Sequence, residues 1–345
     1  MHKAIIFLSF TASQNQSIQN CINYFKYNNK KVDEFYFISN TKSSLKHIKK
    51  YNQLQLTKIT SWNDGMSQIL FKKNKKDLLK FLASIPDHDQ IEIIIPHFQN
   101  ILCNYFVNHC KNYLKSKNII ISLYPDGMLS YQPYEIKNRF EYESVLRWIG
   151  GLFTGMKYEI FKGPIADPYK CIEKIYTYIP SITIPYTSNE IIKIHFSEKK
   201  LIGKNTLILG HYKQSKFDKI YLKKINHMIS GFLAKTKDDK IYYKPHPRIN
   251  EISKDIFYKS ILKIPGIEIV LCINEEPVEQ LVESIGASKI IASVSTSMIN
   301  LKLKYRKQIS CYYFGLNDYV LPQYSPYYQR VFQKLSIRPL IENYE

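Results

Sequence analysis

The segment Lys244-Pro245-His246-Pro247-Arg248 places a histidine between two prolines and two cations, directly after a run that favours a strand. Each proline fixes its own φ and biases the residue before it towards extended geometry, so we expect the imidazole on a stiff corner at a strand end. Because two cations stand beside it, this histidine suits an anion such as a phosphate. A proline-rich turn with an exposed histidine would give the same letters, and two further stretches bear on the choice.

The first of these stretches carries a carboxylate at the end of another predicted strand. Pro125-Asp126-Gly127 follows an apolar run, with Ser130 and Tyr131 just beyond it. Ligands of open α/β sheets bind beyond the carboxyl ends of the strands, and a carboxylate placed there can accept a proton from a hydroxyl. An ordinary Pro-Asp-Gly turn is the alternative.

The second stretch is a run of hydroxyl side chains, Ser295-Thr296-Ser297, between a predicted strand and a predicted helix. Hydroxyls and backbone amides at the start of a helix form a pocket for an anion. We expect this run to lie one strand over from His246 in the same sheet. An ordinary helix cap of Ser and Thr is the alternative interpretation.

Apolar runs alternate with amphipathic segments along the chain, which predicts an α/β protein with parallel sheets. The predicted strands are residues 4–8, 34–38, 91–95, 118–123, 206–210, 240–243, 267–273, 289–292 and 308–314. The predicted helices are residues 13–25, 76–83, 101–114, 139–153, 215–233, 277–285, 298–305 and 327–335. The strand that ends at Gly210 resembles the first strand of a nucleotide-binding half, although the pattern is too short to count as a fingerprint.

A chain of 345 residues usually forms two domains. The predicted strands separate into two sets, and irregular proline-bearing stretches lie between them. We therefore expect a first domain over residues 1–190 and a second over residues 200–320. The remaining residues, 321–345, are expected to form a helix that packs back on the first domain.

The formal net charge of +20 indicates a polyanionic partner, which could be a nucleic acid, an anionic membrane or a phosphorylated substrate. The lysines are spread along the chain and no zinc-finger, helix-turn-helix or RNA-binding pattern occurs, so no nucleic acid is expected, and a basic nucleic-acid-binding protein is the alternative of another class.

No apolar run is long enough to span a membrane, and the six cysteines form no CxxC pair, as in a reducing cytosol. The expected location is the cytoplasm, with peripheral contact to an anionic membrane on the cytosolic face of the inner membrane. The basic and aromatic segment 147–153 fits a lipid contact, but we expect it to be a buried helix end.

Taken in order, the three motifs resemble those of bacterial sialyltransferases, namely the lipooligosaccharide sialyltransferases and the capsule polysialyltransferases. That family shares an acidic-acidic-Gly motif, a His-Pro motif and a Ser/Thr-Ser motif. It also carries a Pro-x-Glu before the serine motif, which Pro277-Val278-Glu279 matches. The resemblance covers residues 126–297. Pro125 stands where the family usually has its first acidic residue, so the role of base is carried over to Asp126 alone.

The resemblance implies the GT-B glycosyltransferase fold, in which two Rossmann-like domains face each other across a cleft. It implies a CMP-activated nonulosonic acid such as CMP-sialic acid as donor, held mainly by the second domain. The acceptor would be a hydroxyl of a cell-surface glycan or glycolipid, in lipooligosaccharide or capsule, that enters from the first domain. The reaction would be an inverting, metal-independent sialyl transfer.

Under this resemblance Asp126 is the general base, and His246 protonates or hydrogen-bonds the departing phosphate. The expected donor-binding residues are Lys244, Pro247, Arg248, Glu279, Ser295, Thr296, Ser297 and Gly210, with Glu279 on the ribose. The expected acceptor-side residues are Gly127, Ser130 and Tyr131. No cofactor is expected besides the donor, and no metal, since these side chains would hold the leaving phosphate and the chain has no His/Cys ligand cluster.

Two alternatives within glycosyl chemistry stay open. Transferases for CMP-Kdo also carry Lys-Pro-His-Pro strings, and donors such as CMP-pseudaminic or CMP-legionaminic acid differ only in what the pocket must accommodate. A second alternative is a GT-B enzyme that uses a UDP-sugar, or a sugar epimerase. The Asp-Gly motif so far upstream counts against that alternative.

Overall fold

The computed structural model describes most of the chain, in seventeen separate stretches. They are residues 2–10, 14–28, 30–39, 52–56, 65–97, 103–107, 113–131, 145–146, 148–153, 155, 172–183, 190–196, 199–212, 217–236, 240–249, 251–273 and 276–341, with the backbone alone for 65–73, 117 and 129. The chain divides into two compact units, Met1–His195 and Phe196–Glu345. This boundary falls between the predicted domain limits at 190 and 200.

The first unit is built on a seven-stranded sheet with the order β3-β2-β1-β4-β5-β6-β7, in which all neighbouring strands are parallel. Its strands are β1 (Lys3–Ser9), β2 (Glu34–Ser39), β3 (Asn52–Gln55), β4 (His88–Ile95), β5 (Ser116–Leu123), β6 (Ile172–Thr177) and β7 (Glu190–Lys193). Its helices are α1 (Gln14–Tyr27) and α2 (Gly65–Ser84), with 3-10 turns at Gly127–Ser130 and Pro180–Ile182. Residues 103–107 and 148–153 are also helical.

A buried polar network joins four neighbouring strands of this sheet. Glu92 of β4 is fully buried and accepts hydrogen bonds from Lys3 Nζ, Ser122 Oγ and Tyr176 Oη, each at 2.7 Å. Burial raises the pKa of Glu92, but the Lys3 ammonium and these hydrogen bonds outweigh it and keep the pKa below its usual value. The charged carboxylate is therefore compensated inside a sheet whose first strand is buried along its whole length.

The second unit is built on a six-stranded sheet with the order β10-β9-β8-β11-β12-β13, again with parallel neighbours throughout. Its strands are β8 (Asn205–Leu209), β9 (Ile241–Lys244), β10 (Ile269–Leu271), β11 (Ala287–Ala292), β12 (Ser310–Tyr313) and β13 (Arg338–Pro339). Its helices are α3 (Lys219–Thr236), α4 (Ile256–Ile261), α5 (Val278–Ile285), α6 (Thr296–Tyr305), α7 (Leu316–Tyr319) and α8 (Ser325–Leu335). Three 3-10 turns lie at Ile252–Lys254, Arg306–Gln308 and Pro322–Tyr324.

The two sheets share one strand order. Numbered from the first strand of each unit, both run 3-2-1-4-5-6, which is the doubly wound Rossmann order, and the first unit adds a seventh strand. In each sheet the order reverses beside the first strand, between β1 and β4 and between β8 and β11. The predicted α/β class with two Rossmann-like sheets is confirmed, and these two reversals are where such sheets bind ligands.

Some predicted helices need comment. Residues 101–102, 108–112, 139–144, 147 and 215–216, which belong to three of them, lie outside the described part of the chain. Helix α8 contacts its own unit, where the Phe332 ring lies 4.8 Å from that of Tyr313. The packing of this helix on the first unit stays a prediction.

The segment 148–153 does not form the buried helix end that we expected. The exposed fractions of Trp148, Ile149, Leu152 and Phe153 are 40%, 39%, 63% and 77%. Arg147 of the same segment lies outside the described residues. Among the residues that the structure describes, no helix combines the length and apolar character needed to cross a bilayer.

Candidate active site

In the first unit, the carboxyl ends of β1, β4 and β5 bring three polar side chains together. The chain leaves β1 and enters α1 at Gln14, leaves β4 at His97, and leaves β5 at Asp126. The strand ends are level, because Phe7 pairs with Ile94 and Ile95 with Leu123. The candidate base therefore lies at the strand-order reversal of its sheet.

The Asp126 carboxylate is held by two neighbours through one of its oxygens. Oδ2 accepts a hydrogen bond from Gln14 Nε2 at 3.1 Å and lies 3.5 Å from His97 Nε2. The backbone N–H of Asp126 donates to Ser130 Oγ at 2.8 Å. Gly127, with φ +57°, adopts the left-handed conformation that favours glycine and begins the turn that carries Ser130. The structure thus brings Asp126, Gly127 and Ser130 together.

His97 is a candidate site residue that our sequence analysis missed. Its side chain is 17% exposed, and among the described residues its Nδ1 has no hydrogen-bond partner. Burial lowers the pKa of His97, and the Asp126 carboxylate raises it by less. A neutral ring that faces a carboxylate donates from Nε2 and leaves Nδ1 as a bare acceptor. The sequence held one signal, since Pro96-His97 ends a strand as Pro245-His246 does.

The Tyr131 side chain is almost fully buried, whereas a residue that contacts a ligand is expected to be more exposed. It is 2% exposed, and burial, opposed by its contacts with Thr177 and the backbone beyond β6, raises the pKa of its hydroxyl to about 12. The side chain contributes to the core beneath the turn of Asp126. Its role on the acceptor side stays a prediction.

In the second unit, Gly210 directly follows β8 and lies beside the corner that carries His246. A Cβ on Gly210 would collide with the hydroxyl of Tyr243 and lie 3.1 Å from the backbone nitrogen of His246. Glycine is therefore needed here for close approach rather than for an unusual φ. It allows the end of β8 to pack directly against the Pro-His-Pro corner.

The tautomer of His246 is set by its own turn. Its Nδ1 accepts a hydrogen bond from the backbone N–H of Arg248 at 3.1 Å, so in the neutral ring the proton is on Nε2. Burial, and then the Arg248 guanidinium, lower the pKa of His246, while Asp255 raises it by less. Near pH 7 the ring is therefore a neutral hydrogen-bond donor through Nε2.

Two cations of different exposure accompany this imidazole. Lys244 is only 7% exposed, and burial lowers its pKa. Arg248 is exposed, and its guanidinium lies 4.9 Å from the centre of the Tyr212 ring. Pro247 lies between them on the exposed side of the turn. The arrangement combines a buried positive charge with an accessible one, as a bound phosphate would require.

An aromatic surface beside His246 also escaped our sequence analysis. The ring centres of Tyr212 and His246 lie 5.1 Å apart, those of His211 and Tyr212 4.9 Å, and those of His211 and Tyr319 4.2 Å. Planar side chains of this kind can stack on a nucleobase. The signal in the sequence was local, because His211 and Tyr212 directly follow Gly210.

The hydroxyl run caps α6, but it lies farther from His246 than predicted. The Oγ of Ser295 accepts from the backbone N–H of Ser297 at 3.3 Å, while Thr296 is exposed. Because β8 lies between β9 and β11, the run is two strands away from His246 and not one. Two strand spacings are about 10 Å, and a phosphate with a hydrogen bond on each side spans about 8 Å.

Glu279 contacts the helix that this hydroxyl run caps. It is in the first turn of α5 and accepts a hydrogen bond from Asn300 Nδ2 of α6 at 3.1 Å. This bond ties the first turn of α5 to the middle of α6. The structure thus forms two groups in the second unit, one around His246 with Gly210 and the cations, the other joining Glu279 to α6.

The described part of the chain contains no group of three or more His, Cys, Asp or Glu side chains positioned to hold a metal ion. The metal independence of the reaction stays a prediction.

No protein-family model matches this chain, and no curated protein does. Solved structures match it over almost its whole length. MnaA of S. aureus, solved with UDP, is 11% identical, with 97% of this chain and 87% of that chain covered and a TM-score of 0.51. The UDP-GlcNAc 2-epimerase of Methanocaldococcus jannaschii, solved with UDP-GlcNAc and UDP, is 13% identical, with 99% and 89% covered and a TM-score of 0.50.

A sialyltransferase from Photobacterium damselae, over residues 113–497 that correspond to its GT-B domain, is 13% identical, with 97% of each chain covered and a TM-score of 0.48. That value is too low to support an argument about function. At identities of 11% and 13% the similarities with TM-scores of 0.50 or more show the fold and not the reaction. The chain has the GT-B fold, with two parallel Rossmann-like sheets.

Proposed function

We propose that the protein is an inverting, metal-independent glycosyltransferase that moves sialic acid or a related nonulosonic acid from its CMP donor to a hydroxyl of a cell-surface glycan. The observation that carries the proposal is the geometry of the His246 corner. Its Nδ1 is occupied by the backbone N–H of Arg248, which leaves an Nε2–H donor on a short segment that also carries a buried lysine and an exposed arginine. This is the donor set that a departing phosphate monoester needs.

The reaction is a single displacement at the anomeric carbon of the donor sugar. The acceptor O–H bond breaks and its proton passes to the carboxylate of Asp126, while the acceptor oxygen forms the new bond to the anomeric carbon. The bond from that carbon to the phosphate oxygen breaks, and its electron pair leaves with CMP. The transition state resembles an oxocarbenium ion, and attack opposite the leaving group inverts the configuration.

The side chains of the second unit act on the leaving group. A neutral His246 donates its Nε2–H to the phosphate, whose negative charge grows as the bond breaks, and Lys244 and Arg248 offset that charge. The hydroxyls of Thr296 and Ser297 at the start of α6 would bind the remaining phosphate oxygens. Glu279 would accept hydrogen bonds from the ribose. Gly210 lets β8 approach the phosphate corner.

We place the acceptor at a membrane surface, as a glycan or glycolipid met from the cytosolic side. The net charge of +20 favours an anionic surface. The apolar side chains of Leu152 and Phe153 are 63% and 77% exposed, as expected of residues that dip into lipid.

The test is a donor panel of CMP-Neu5Ac, CMP-Kdo, CMP-pseudaminic acid and UDP-GlcNAc, with release of CMP or UDP measured in EDTA and in Mg²⁺. We expect CMP release from one of the nonulosonic acid donors, unchanged by EDTA. His246→Ala should lower turnover greatly, whereas His227→Ala, which alters an exposed histidine of α3, should leave it unchanged. Asp126→Asn should abolish transfer and retain CMP binding.

Other outcomes would contradict the proposal. Turnover of the UDP-sugar alone would favour the UDP-dependent alternative, and a strict requirement for a divalent ion would oppose the leaving-group argument. Exclusive use of CMP-Kdo would leave the proposed mechanism intact but would show that the proposed donor is wrong. Loss of folding in Asp126→Asn would reduce Asp126 to a turn residue.

A further inference from the structure

The orientation of the Gln14 side chain is fixed by a contact on the side away from Asp126. Gln14 is 3% exposed and is the first residue of α1. Its Oε1 accepts a hydrogen bond from the backbone N–H of Phe10 at 2.8 Å. With the carbonyl committed to Phe10, the NH₂ group must face the other way, and it lies 3.1 Å from Oδ2 of Asp126. A flipped amide would place oxygen against oxygen and N–H against N–H.

His97 approaches the same oxygen, although it is not yet within hydrogen-bonding geometry. Its Nε2 is 3.5 Å from Oδ2, a separation that a small rotation of either side chain shortens to a hydrogen bond. Asp126 is the charged group that acts on this ring, and burial opposes a charge on it. The buried, unpartnered Nδ1 agrees with a neutral ring, because a protonated ring would leave a second donor without an acceptor.

Gln14 donates to Oδ2 and His97 Nε2 faces the same oxygen, and among the described residues neither contacts Oδ1. A carboxylate turns readily about its terminal torsion, since that torsion has broad minima. Two donors on one oxygen stop this rotation and make the two oxygens inequivalent. The oxygen that stays available for an incoming hydroxyl is Oδ1.

We infer that Gln14 and His97 are positioning residues that hold Oδ2 of Asp126, so that Oδ1 is the atom that takes the acceptor proton. The inference rests on the proposed function, since it assigns the orientation of the base in that reaction. In the step, the acceptor O–H bond breaks, its proton moves to Oδ1, and the oxygen bonds to the anomeric carbon as CMP leaves with the electron pair. Oδ2 keeps its two donors throughout.

Four variants separate this role from a structural one. Gln14→Glu keeps an acceptor for the Phe10 N–H but replaces the NH₂ by a charged oxygen beside Asp126. His97→Phe keeps a ring and removes the donor together with the unpartnered Nδ1. Gln14→Leu removes both of the Gln14 contacts. His97→Gln retains an N–H donor at a similar reach and serves as the rescue.

We expect Gln14→Glu and His97→Phe to lower kcat about tenfold to a hundredfold, because the first removes a hydrogen bond to the Asp126 carboxylate and the second removes the N–H that faces it. The KM for the CMP donor and the melting temperature of His97→Phe should stay close to those of the wild type. His97→Gln should recover most of the loss. The matched control is Gln19→Leu, since Gln19 is on the same helix and donates to Asn23, 3.1 Å away, rather than to Asp126.

A second measurement needs no substrate. Long-range ¹H–¹⁵N correlation spectra of the histidine rings report the tautomer and the pKa of His97 in the full-length protein. We expect the Nε2–H tautomer in the wild type and a still lower pKa of His97 in Asp126→Asn, since the carboxylate raises that pKa.

The two measurements distinguish a failure of the proposed function from a failure of the inference about Gln14 and His97. No turnover of any CMP donor by the wild type would overturn the proposed function, and the spectra would still decide the pairing. Turnover by the wild type with unchanged kcat in Gln14→Glu and His97→Phe would overturn the inference alone. A His97 pKa that is the same in Asp126→Asn as in the wild type would also overturn the inference. So would an Nδ1–H tautomer of His97.

Discussion

Gly210→Ala tests whether the end of β8 sets the position of His246. The added methyl group would lie 3.1 Å from the backbone nitrogen of His246 and would collide with the hydroxyl of Tyr243. Tyr243 is fully buried and cannot retreat freely, because its hydroxyl donates to Asp255 at 2.6 Å. Asp255 is itself fully buried and caps α4 by accepting from the backbone N–H of Tyr258 at 3.1 Å. The strain therefore falls on the Pro-His-Pro corner.

The magnitude follows from two opposing effects. Overpacking of a close-packed site costs about 1–3 kcal/mol. Replacing glycine restricts the unfolded chain and returns about 0.4–1 kcal/mol. We expect a net loss of about 1–2 kcal/mol, which lowers the melting temperature of the second unit by about 2–8 °C. A shift of His246 by a few tenths of an ångström should lower kcat about tenfold.

The assay combines scanning calorimetry with release of CMP from the preferred donor. The matched control is Gly231→Ala, because Gly231 is in α3 and an added methyl group would meet no atom within 4 Å. That change should stabilise the protein by about 1 kcal/mol through helix propensity alone. The two glycine substitutions should thus have opposite signs.

A double-mutant cycle identifies the cause. Tyr243→Phe removes the colliding hydroxyl and, by itself, destabilises through the loss of the bond to Asp255. If the collision is the cause, the double variant Gly210→Ala/Tyr243→Phe loses less stability than the sum of the single variants. Strict additivity, or a Gly210→Ala variant with wild-type stability and kcat, would refute the argument.

Three further predictions concern acid stability, the buried network and membrane binding. Burial raises the pKa of Glu283, but hydrogen bonds from two lysines and Tyr305 lower it to about 2. Because this folded-state pKa lies below the unfolded value near 4.5, the charged Glu283 stabilises the folded protein above pH 4.5. About 1–2 kcal/mol of this stability, allowing for solvent screening, is lost as the pH falls to 2. Melting curves of Glu283→Gln should be less sensitive to pH in this window, and parallel curves would contradict the assignment. Lys3→Met should cost about 3–5 kcal/mol in urea unfolding, because it leaves Glu92 buried without its cation; an unchanged midpoint would show the pair to be dispensable. Phe153→Ser should weaken cosedimentation with anionic vesicles about tenfold, and equal binding by variant and wild type would exclude this surface.

Most of the strands that were predicted correctly lie inside their sheets, and the edge strand β10 is an exception. β1, β4 and β5 lie in the middle of the first sheet, so their sequences are rich in apolar residues and need no tertiary information to be recognised. The strands that were missed lie towards the edges or are very short. β3 has the sequence Asn-Gln-Leu-Gln, and it is a strand because it pairs in register with β2, not because of its own propensity.

The site was predictable where the chemistry and the turn are neighbours in sequence. Asp126 is followed by a glycine, and His246 is flanked by prolines. In both cases these turn residues mark a strand end within a few positions of the chemical group. Gln14 was missed because its partner is 112 residues away, and a glutamine at a helix start has no distinctive pattern. The distance from His246 to the serine run was misjudged for a related reason, since sequence order does not show that β8 separates β9 from β11.

The two edge strands of the second sheet are short. One edge strand, β10, has three residues, and the other, β13, consists only of Arg338 and Pro339, both exposed. A proline at an edge has no N–H to offer, and an arginine resists burial against another chain. The sheet therefore gives a second molecule almost no backbone on which to add a strand. This should limit edge-to-edge aggregation when the protein is crowded.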